Sequence, residues 1–192
     1  LMCKNFLLRT IANIKTIIKM KKSLVILSLI LGAFGSVHAQ TVSSLIEDWE
    51  RAKAYTLEYL EAMPADKYDF KPTEDIRSFS QQMLHLTDAN YGFTSAAVGI
   101  ESPIGQGESE KSTDTSKENV TKLVAAGYDF VIKGLNGMTD AELKESIQLF
   151  GRFKMTKAQA FAKLFEHQTH HRGQTTIYIR MAGITPPNEK LF

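Results

Sequence analysis

The chain has 192 residues, a length typical of one domain, and its 43% hydrophobic and 23% charged residues are ordinary for a globular protein. The formal net charge of +2 is unevenly distributed: residues 1–39 hold six of the 23 basic residues and no acidic one, which leaves 17 basic against 21 acidic residues, a net of −4, in the remainder. A mildly acidic body without a basic stripe argues against a nucleic-acid partner.

The N-terminus has the layout of a signal peptide. A positive segment at 20–22 precedes an apolar run of 11 residues at 24–34, and small residues then stand at Val37 and Ala39, the −3 and −1 positions of a cleavage site. The run is well short of the roughly 20 residues that a spanning helix needs. We therefore expect translation to start at Met20 and cleavage to follow Ala39, with an uncleaved anchor as the alternative.

Removal of this segment defines the mature domain as residues 40–192. It is expected to be periplasmic or extracellular, without stable membrane insertion after cleavage. Cys3, the only cysteine, and His38 leave with the signal. The mature domain then has no disulfide and no cysteine nucleophile.

The first half of the mature domain predicts two amphipathic helices. Apolar residues recur near helical spacing over 43–63, after a capping box at Ser44-Leu45-Ile46-Glu47. A second capping box begins at Ser78 and opens a helix predicted at 79–98. His85 lies in the apolar stripe of this second helix, where a lone histidine is commonly a hydrogen-bonded core residue.

The second half predicts a long loop and two further helices. The loop at 99–114 has 16 residues, and at about 3.3 Å per extended residue it can run the length of a helix and join two helices that point the same way. Capping boxes at Thr115-Ser116-Lys117-Glu118 and Thr156-Lys157-Ala158-Gln159 open helices predicted at 116–134 and 157–182. Between them, 139–145 predicts a short helical piece and 146–154 a connection or hairpin-like edge. No other strand pattern competes, so an all-α four-helix bundle is the economical architecture.

Three of the five histidines fall within five residues of the fourth predicted helix. His167 and His171 are four residues apart and therefore share a helix face. His85 is the only other histidine of the mature domain, and bundle cores are where facing helices build metal sites. Three neutral nitrogen ligands suit zinc, nickel or another divalent metal, and three protein ligands leave positions open for chemistry. The alternative is a chance spacing of ordinary helix histidines.

The neighbours of this cluster are ambiguous. His170 points about 100° away from His171 around the helix and is expected behind the site or at the surface. Arg172 and Gln174 either orient a ligand, pair with Glu166 or lie on a solvated face. Asp88 and Glu166 are the candidates for a general base, and no catalytic residue is identified.

The stretch His167-Gln168-Thr169-His170-His171-Arg172-Gly173-Gln174, followed by Arg180-Met181-Ala182-Gly183-Ile184-Thr185-Pro186-Pro187, resembles the C-terminal signature of the DinB-like family. The upstream segments Phe70-Lys71-Pro72, Arg77-Ser78-Phe79 and Met83-Leu84-His85-Leu86 resemble the part of that family leading to its first histidine. The resemblance covers residues 41–188.

The resemblance implies an up-down-down-up four-helix bundle with the long crossover between helices two and three. It also implies a metal site with His85, His167 and His171 as ligands and His170 outside them, and it implies homodimers. Related proteins include transferases that use low-molecular-weight thiols and a maleylpyruvate isomerase. Predicted export departs from that thiol chemistry, which presumes a cytosolic thiol pool.

Two functions therefore remain open. The first is a metal-dependent transferase or hydrolase acting on a thiol-containing or other small molecule at a zinc or nickel site. The second is a non-catalytic envelope stress or binding protein with a structural or absent metal. A DNA-repair role, which the family name evokes, is disfavoured by the acidic, exported body.

Overall fold

The computed structural model describes residues 40–192, so the predicted signal peptide at 1–39 lies outside the described residues. Four long helices dominate the described part: α1 (Val42–Ala62), α2 (Phe79–Val98), α3 (Lys117–Asn136) and α4 (Lys157–Met181). Short 3-10 turns follow α1 at Ala65–Lys67 and α3 at Glu142–Lys144. All four predicted helices are present, and their ends lie within two residues of the predicted ends. None of the described helices combines the length and apolar character needed to cross a membrane.

Side-chain caps fix the starts of the helices that carry the histidines. Ser78 accepts a hydrogen bond from the backbone N–H of Gln81, and the Gln81 side chain accepts one in return from Ser78. Thr156 and Gln159 form the same reciprocal pair at the start of α4. Both capping boxes were predicted from the sequence, and they set the register in which the histidines face the core.

Two other caps differ from the prediction. The first helix begins earlier than the predicted Ser44–Glu47 box, because Thr41 caps it. The Thr41 side chain accepts a hydrogen bond from the Ser44 N–H, and the Ser44 hydroxyl accepts one from the Thr41 N–H. The third helix is capped by Ser116, one residue after the predicted cap Thr115. Several serines and threonines compete for the cap at each site, and the sequence pattern alone does not choose among them.

A small hairpin joins α3 to α4 and is absent from the predicted all-α architecture. It pairs β1 (Ser146–Leu149) with β2 (Phe153–Thr156) in antiparallel register, with Leu149 opposite Phe153. Phe150 and Gly151 adopt positive φ angles of 53° and 67° at the turn. The hairpin-like edge expected over 146–154 is thus a two-stranded sheet, and its turn holds Phe150 beside α2.

Aromatic side chains fill the core between the helices. Trp49 is fully buried and packs its ring 5.7 Å from Tyr128 and 5.4 Å edge-on from Phe165. Burying a large apolar side chain contributes about 1.5–3 kcal/mol, so this cluster is a main source of the stability that holds α4 in place. Because α4 also contacts α2, the two helices that carry histidines are fixed side by side.

Candidate metal centre

The fold brings His85 of α2 together with His167 and His171 of α4. One ring nitrogen from each residue lies within 4.8 Å of the other two. The ring centroids are 4.4 Å apart for His167 and His171 and 4.6 Å apart for His85 and His171. Because Zn–N bonds are about 2.0–2.1 Å long, small side-chain rotations suffice for the three nitrogens to hold one ion.

Hydrogen bonds fix the tautomers of two of the three rings. Nδ1 of His171 lies 2.8 Å from Oε1 of Gln82, and Nδ1 of His85 lies 3.0 Å from Oε2 of Glu110. Both partners are acceptors, so each Nδ1 carries the proton and each Nε2 keeps its lone pair. Nδ1 of His167 is buried without a hydrogen-bond partner among residues 40–192, which is costly unless something further binds this ring.

Burial keeps two of these histidines neutral. Desolvation, followed by the charges of His167 and His85, lowers the pKa of His171 to about 3. Desolvation, followed by the charge of His85, lowers the pKa of His167 to about 4. Imidazoles that are neutral at physiological pH are the form that binds a metal.

Glu110 is the residue of the long loop that reaches the cluster. Its carboxylate accepts a 2.6 Å hydrogen bond from Nε of Arg77 as well as the bond from His85. Burial alone would raise the pKa of Glu110, but the hydrogen bonds and charges of Arg77 and His85 outweigh it and the pKa is lowered. An ionised Glu110 fixes the orientation of the His85 ring and makes its free nitrogen a better donor to a metal.

Asp88, a candidate base, instead fastens the loop to α2. Its two carboxylate oxygens accept the backbone N–H groups of Ser109 and Glu110, each at 2.9 Å. Both oxygens are engaged in holding the loop, so Asp88 is a support for Glu110. The other candidate base, Glu166, is exposed and paired with Lys163 at 2.7 Å.

His170 and Arg172, the other candidates in the histidine motif, lie in different surroundings. His170 is exposed, and its Nε2 lies 3.1 Å from the Gln174 amide nitrogen, so it stands outside the cluster as expected. Arg172 is 5% exposed, which excludes the solvated face considered for it. It does not pair with Glu166 either; its guanidinium lies 4.4 Å from the centre of the Tyr55 ring.

A cleft leads from the surface to two of the histidines. Its volume is about 340 Å³, and its wall includes His85, His167, Phe93, Phe150 and Gly107. The rest of the wall is mixed: two phenylalanines and an alanine supply apolar surface, and Asp88, Gln106 and Glu110 supply polar groups. A second pocket of about 400 Å³ shares Phe150 with this cleft and continues beneath the long loop. The cleft gives a small molecule with an apolar part access to one side of the cluster.

Helices enclosing a cleft that reaches two of three clustered histidines define a class of helical protein with a candidate metal site. The DinB family model matches residues 36–191, and the chain belongs to the DinB family. A curated relative, YjoA of Bacillus subtilis (strain 168), is 29% identical over 137 residues, covering 68% of this chain and 83% of YjoA. A second Bacillus subtilis protein, YrdA, is 43% identical over 49 residues, 26% of this chain and 29% of YrdA.

Solved structures share the fold. A DinB-like protein from Bacillus cereus ATCC 10987 superposes with a TM-score of 0.69 at 20% identity, covering 79% of this chain and 99% of that one. The DinB-like structure of YjoA from Bacillus subtilis gives a TM-score of 0.58 at 19% identity, covering 77% of this chain and 96% of that one.

Proposed function

We propose that His85, His167 and His171 bind one divalent metal ion, zinc or nickel, in a metal-dependent transferase or hydrolase of small molecules. The observation that carries this proposal is the convergence of three histidine nitrogens within 4.8 Å beside a cleft that His85 and His167 line. A metal held there would supply Lewis acidity and would favour a bound water or thiol in its deprotonated form. Ligand type alone does not separate zinc from nickel.

The residues of the chain have distinct tasks in this proposal. Gln82 and Glu110 hold the tautomers of His171 and His85, so that each ring keeps a lone pair on Nε2 for a metal. Phe93 and Phe150 give the cleft apolar walls that favour a substrate with an apolar part and exclude water around it. The chemistry of the donor set therefore fits a catalytic metal open on the cleft side. A thiol-containing substrate is one member of this class.

The runner-up is a non-catalytic envelope stress or binding protein with a structural or absent metal. It is favoured by the absence of a free base among the two carboxylates considered: Asp88 is used by the loop and Glu166 by Lys163. If the metal is structural, it stabilises the fold without leaving a coordination position to solvent or ligand.

Metal analysis of the purified full chain tests the metal site directly. We expect about one equivalent of zinc or nickel per chain and a rise in melting temperature when Zn²⁺ is added to the EDTA-treated protein, because an ion that binds only the folded state stabilises it. His85→Ala should abolish both effects, and His170→Ala, on the exposed side of α4, is the matched control. Sub-stoichiometric metal together with no thermal shift contradicts the proposal.

Cobalt substitution separates the two functions. A Co²⁺ spectrum that changes when a small thiol is added indicates an open coordination position and favours the enzyme. A spectrum that does not respond to thiol, azide or added water-exchange probes favours the structural metal.

We infer an up-down-down-up connectivity for the four helices. Thr87 and Thr94 of α2 face Gly127 and Gly134 of α3 in the same order, which supports a parallel pair joined by the long loop. The pairs Lys53–Asp129 and Glu61–Lys117 run in opposite order along α1 and α3, which supports an antiparallel pair. The pairs Gln82–Tyr178 and Phe93–His167 do the same for α2 and α4. The pairs Trp49–Phe165 and Tyr59–Thr176 run in the same order, which supports parallel α1 and α4.

We further propose export of residues 40–192 after signal cleavage, and a homodimer as the working assembly. Export is supported by the signal layout of residues 20–39, and dimerisation by the family resemblance alone. Sedimentation of the purified protein at several concentrations tests the dimer, which a constant monomer mass would contradict.

A further inference from the structure

Arg172 is a buried cation without a counter-ion. It is 5% exposed, and no carboxylate forms an ion pair with it within residues 40–192. Only Nη1 has acceptors, and these are neutral and distant: Gln168 Oε1 at 3.2 Å, Thr56 Oγ1 at 3.4 Å and Ala52 O at 3.5 Å. Stacking on Tyr55 offsets part of the cost of burial. A guanidinium removed from water normally requires an anionic partner as well.

Arg172 also borders a cavity. A cavity of about 280 Å³ lies between α1, α4 and the C-terminal tail, and Arg172 is part of its wall. Tyr59 and Arg180 add a hydroxyl and a second cation, while Pro186 and Pro187 add apolar surface. Nε and Nη2 of Arg172 make no hydrogen bond to the described residues, so the two donors that bind a carboxylate in a fork are free.

We propose that this cavity binds a small organic carboxylate with an apolar body. The carboxylate would accept a bidentate hydrogen bond from Nε and Nη2 of Arg172, and the apolar body would lie against the tyrosine rings and the two prolines. The site is distinct from the histidine cluster, because it lies on the α1 side of α4 whereas the histidines face α2. It does not depend on the proposed metal chemistry.

A substitution of Glu189 distinguishes a bound carboxylate from Glu189 itself as the partner of Arg172. Glu189 is also part of the cavity wall, but it is exposed and forms no ion pair with Arg172 in the described part of the chain. As a negative charge beside the site it repels an incoming carboxylate. Glu189→Gln should therefore tighten carboxylate binding. If Glu189 were the natural partner of Arg172, this substitution would lower the melting temperature instead.

Benzoate is a suitable probe because it joins a carboxylate to an apolar ring. We expect saturable binding to the full chain in EDTA, which prevents coordination at the histidines, and weaker binding of inorganic phosphate, which lacks an apolar body. Arg172→Gln should weaken benzoate binding at least about tenfold, as loss of a charge-assisted bond predicts. Arg152→Gln, on the distant hairpin, should leave it unchanged.

Two readouts keep the test decisive if Arg172→Gln fails to fold. Benzoate should shift the Arg172 Nε–Hε resonance of the wild-type protein, and Tyr59→Phe should weaken binding by removing a hydroxyl from the wall. Absence of saturable benzoate binding, binding that Arg172 and Tyr59 variants leave unchanged, or equal affinity for phosphate overturns the proposal. Loss of metal binding in His85→Ala with benzoate binding intact would separate this site from the proposed metal site.

Discussion

At the scale of single residues, Glu110 makes a sharp prediction about metal affinity. Glu110→Gln keeps the size of the side chain but removes the charge that orients His85 and pairs with Arg77. Loss of such a supporting carboxylate typically costs about 10–100-fold in metal affinity. We expect a decrease of this size in Zn²⁺ affinity, measured by competition with a chromophoric chelator.

Glu108→Gln is the matched control, because Glu108 lies in the same loop but pairs with the exposed Lys111. An equal effect of the two substitutions would mean that general charge, and not the contact with His85, sets the affinity. Unchanged affinity in Glu110→Gln would show that His85 is held well enough by packing alone.

The histidines themselves predict how the metal-free protein responds to acid. The pKa values of His171 and His167, about 3 and about 4, lie below the ordinary histidine value, so between those values and roughly 6.5 the unfolded chain binds more protons than the folded one. The contribution of these two histidines to the free energy of unfolding is therefore fully present above roughly pH 6.5. It falls as pH drops toward the folded pKa values, by at most about 1.4 kcal/mol per pH unit for each histidine.

Urea unfolding in EDTA at pH 7.5, 6 and 5 measures this dependence. The pKa of Glu110 is lowered from an already acidic value, so the interval from pH 6.5 to 5 reports mainly on the histidines. His171→Gln should flatten the slope and His170→Ala should not. A wild-type stability that is flat across this interval contradicts the buried, neutral state of the two rings.

The site could be predicted from the sequence only in part. His85, His167 and His171 follow from helical spacing and from elimination of other histidines, because spacing determines which residues share a face. Glu110 could not be found this way, since it lies in a loop without periodicity and its place depends on two backbone bonds to Asp88. The burial of Arg172 could not be predicted either, because in the sequence an arginine beside a polar motif resembles a surface residue.

At the scale of elements, the contact between α2 and α3 depends on glycine. A Cβ added at Gly127 would lie 2.9 Å from Cγ2 of Thr87, and one added at Gly134 would lie 2.7 Å from Cγ2 of Thr94. The threonine methyls are fixed on β-branched side chains and cannot swing away. We expect Gly127→Ala to lower the free energy of unfolding by about 1–2 kcal/mol, the cost of overpacking less the gain in helix propensity.

Gly173→Ala is the control for this helix pair. Gly173 is also inside a helix, but a Cβ there meets nothing within 4 Å, so the substitution should stabilise the protein by up to about 1 kcal/mol. Chemical denaturation of both variants gives the comparison. Stabilisation by Gly127→Ala would mean that α2 and α3 separate more readily than their packing indicates.

The elements differ in how well the sequence predicts them. The four long helices carry both an apolar period and capping residues, and these local signals agree with the tertiary structure. The hairpin carries only four residues per strand, and its turn has a left-handed Phe150, a conformation that a bulky residue rarely adopts. Its position is set by contact with α2, where Phe150 packs 4.9 Å edge-on against Phe93, and no local pattern encodes that contact.

At the scale of the whole molecule, the charge distribution and the cysteine content are compatible with the export proposed above. The six basic residues of 1–39 precede a body with net charge −4, and the only cysteine is Cys3. A body without thiols neither needs an oxidising compartment nor is harmed by one. Zinc or nickel bound by three histidines requires no thiolate ligand, so the proposed site and the proposed export are chemically compatible.

Expression from Met20 in a Gram-negative host tests the export proposal. We expect the periplasmic fraction to contain a product whose intact mass and N-terminal sequence begin at Gln40, because signal peptidase requires small residues at Val37 and Ala39. Ala39→Asp should block cleavage and leave the larger, membrane-associated precursor, whereas Gln40→Asn, just beyond the cut, should be processed normally. An uncleaved wild-type chain that remains with the membrane would establish the anchor instead. A full-length chain in the cytosolic fraction would contradict export and remove its conflict with thiol-transfer chemistry.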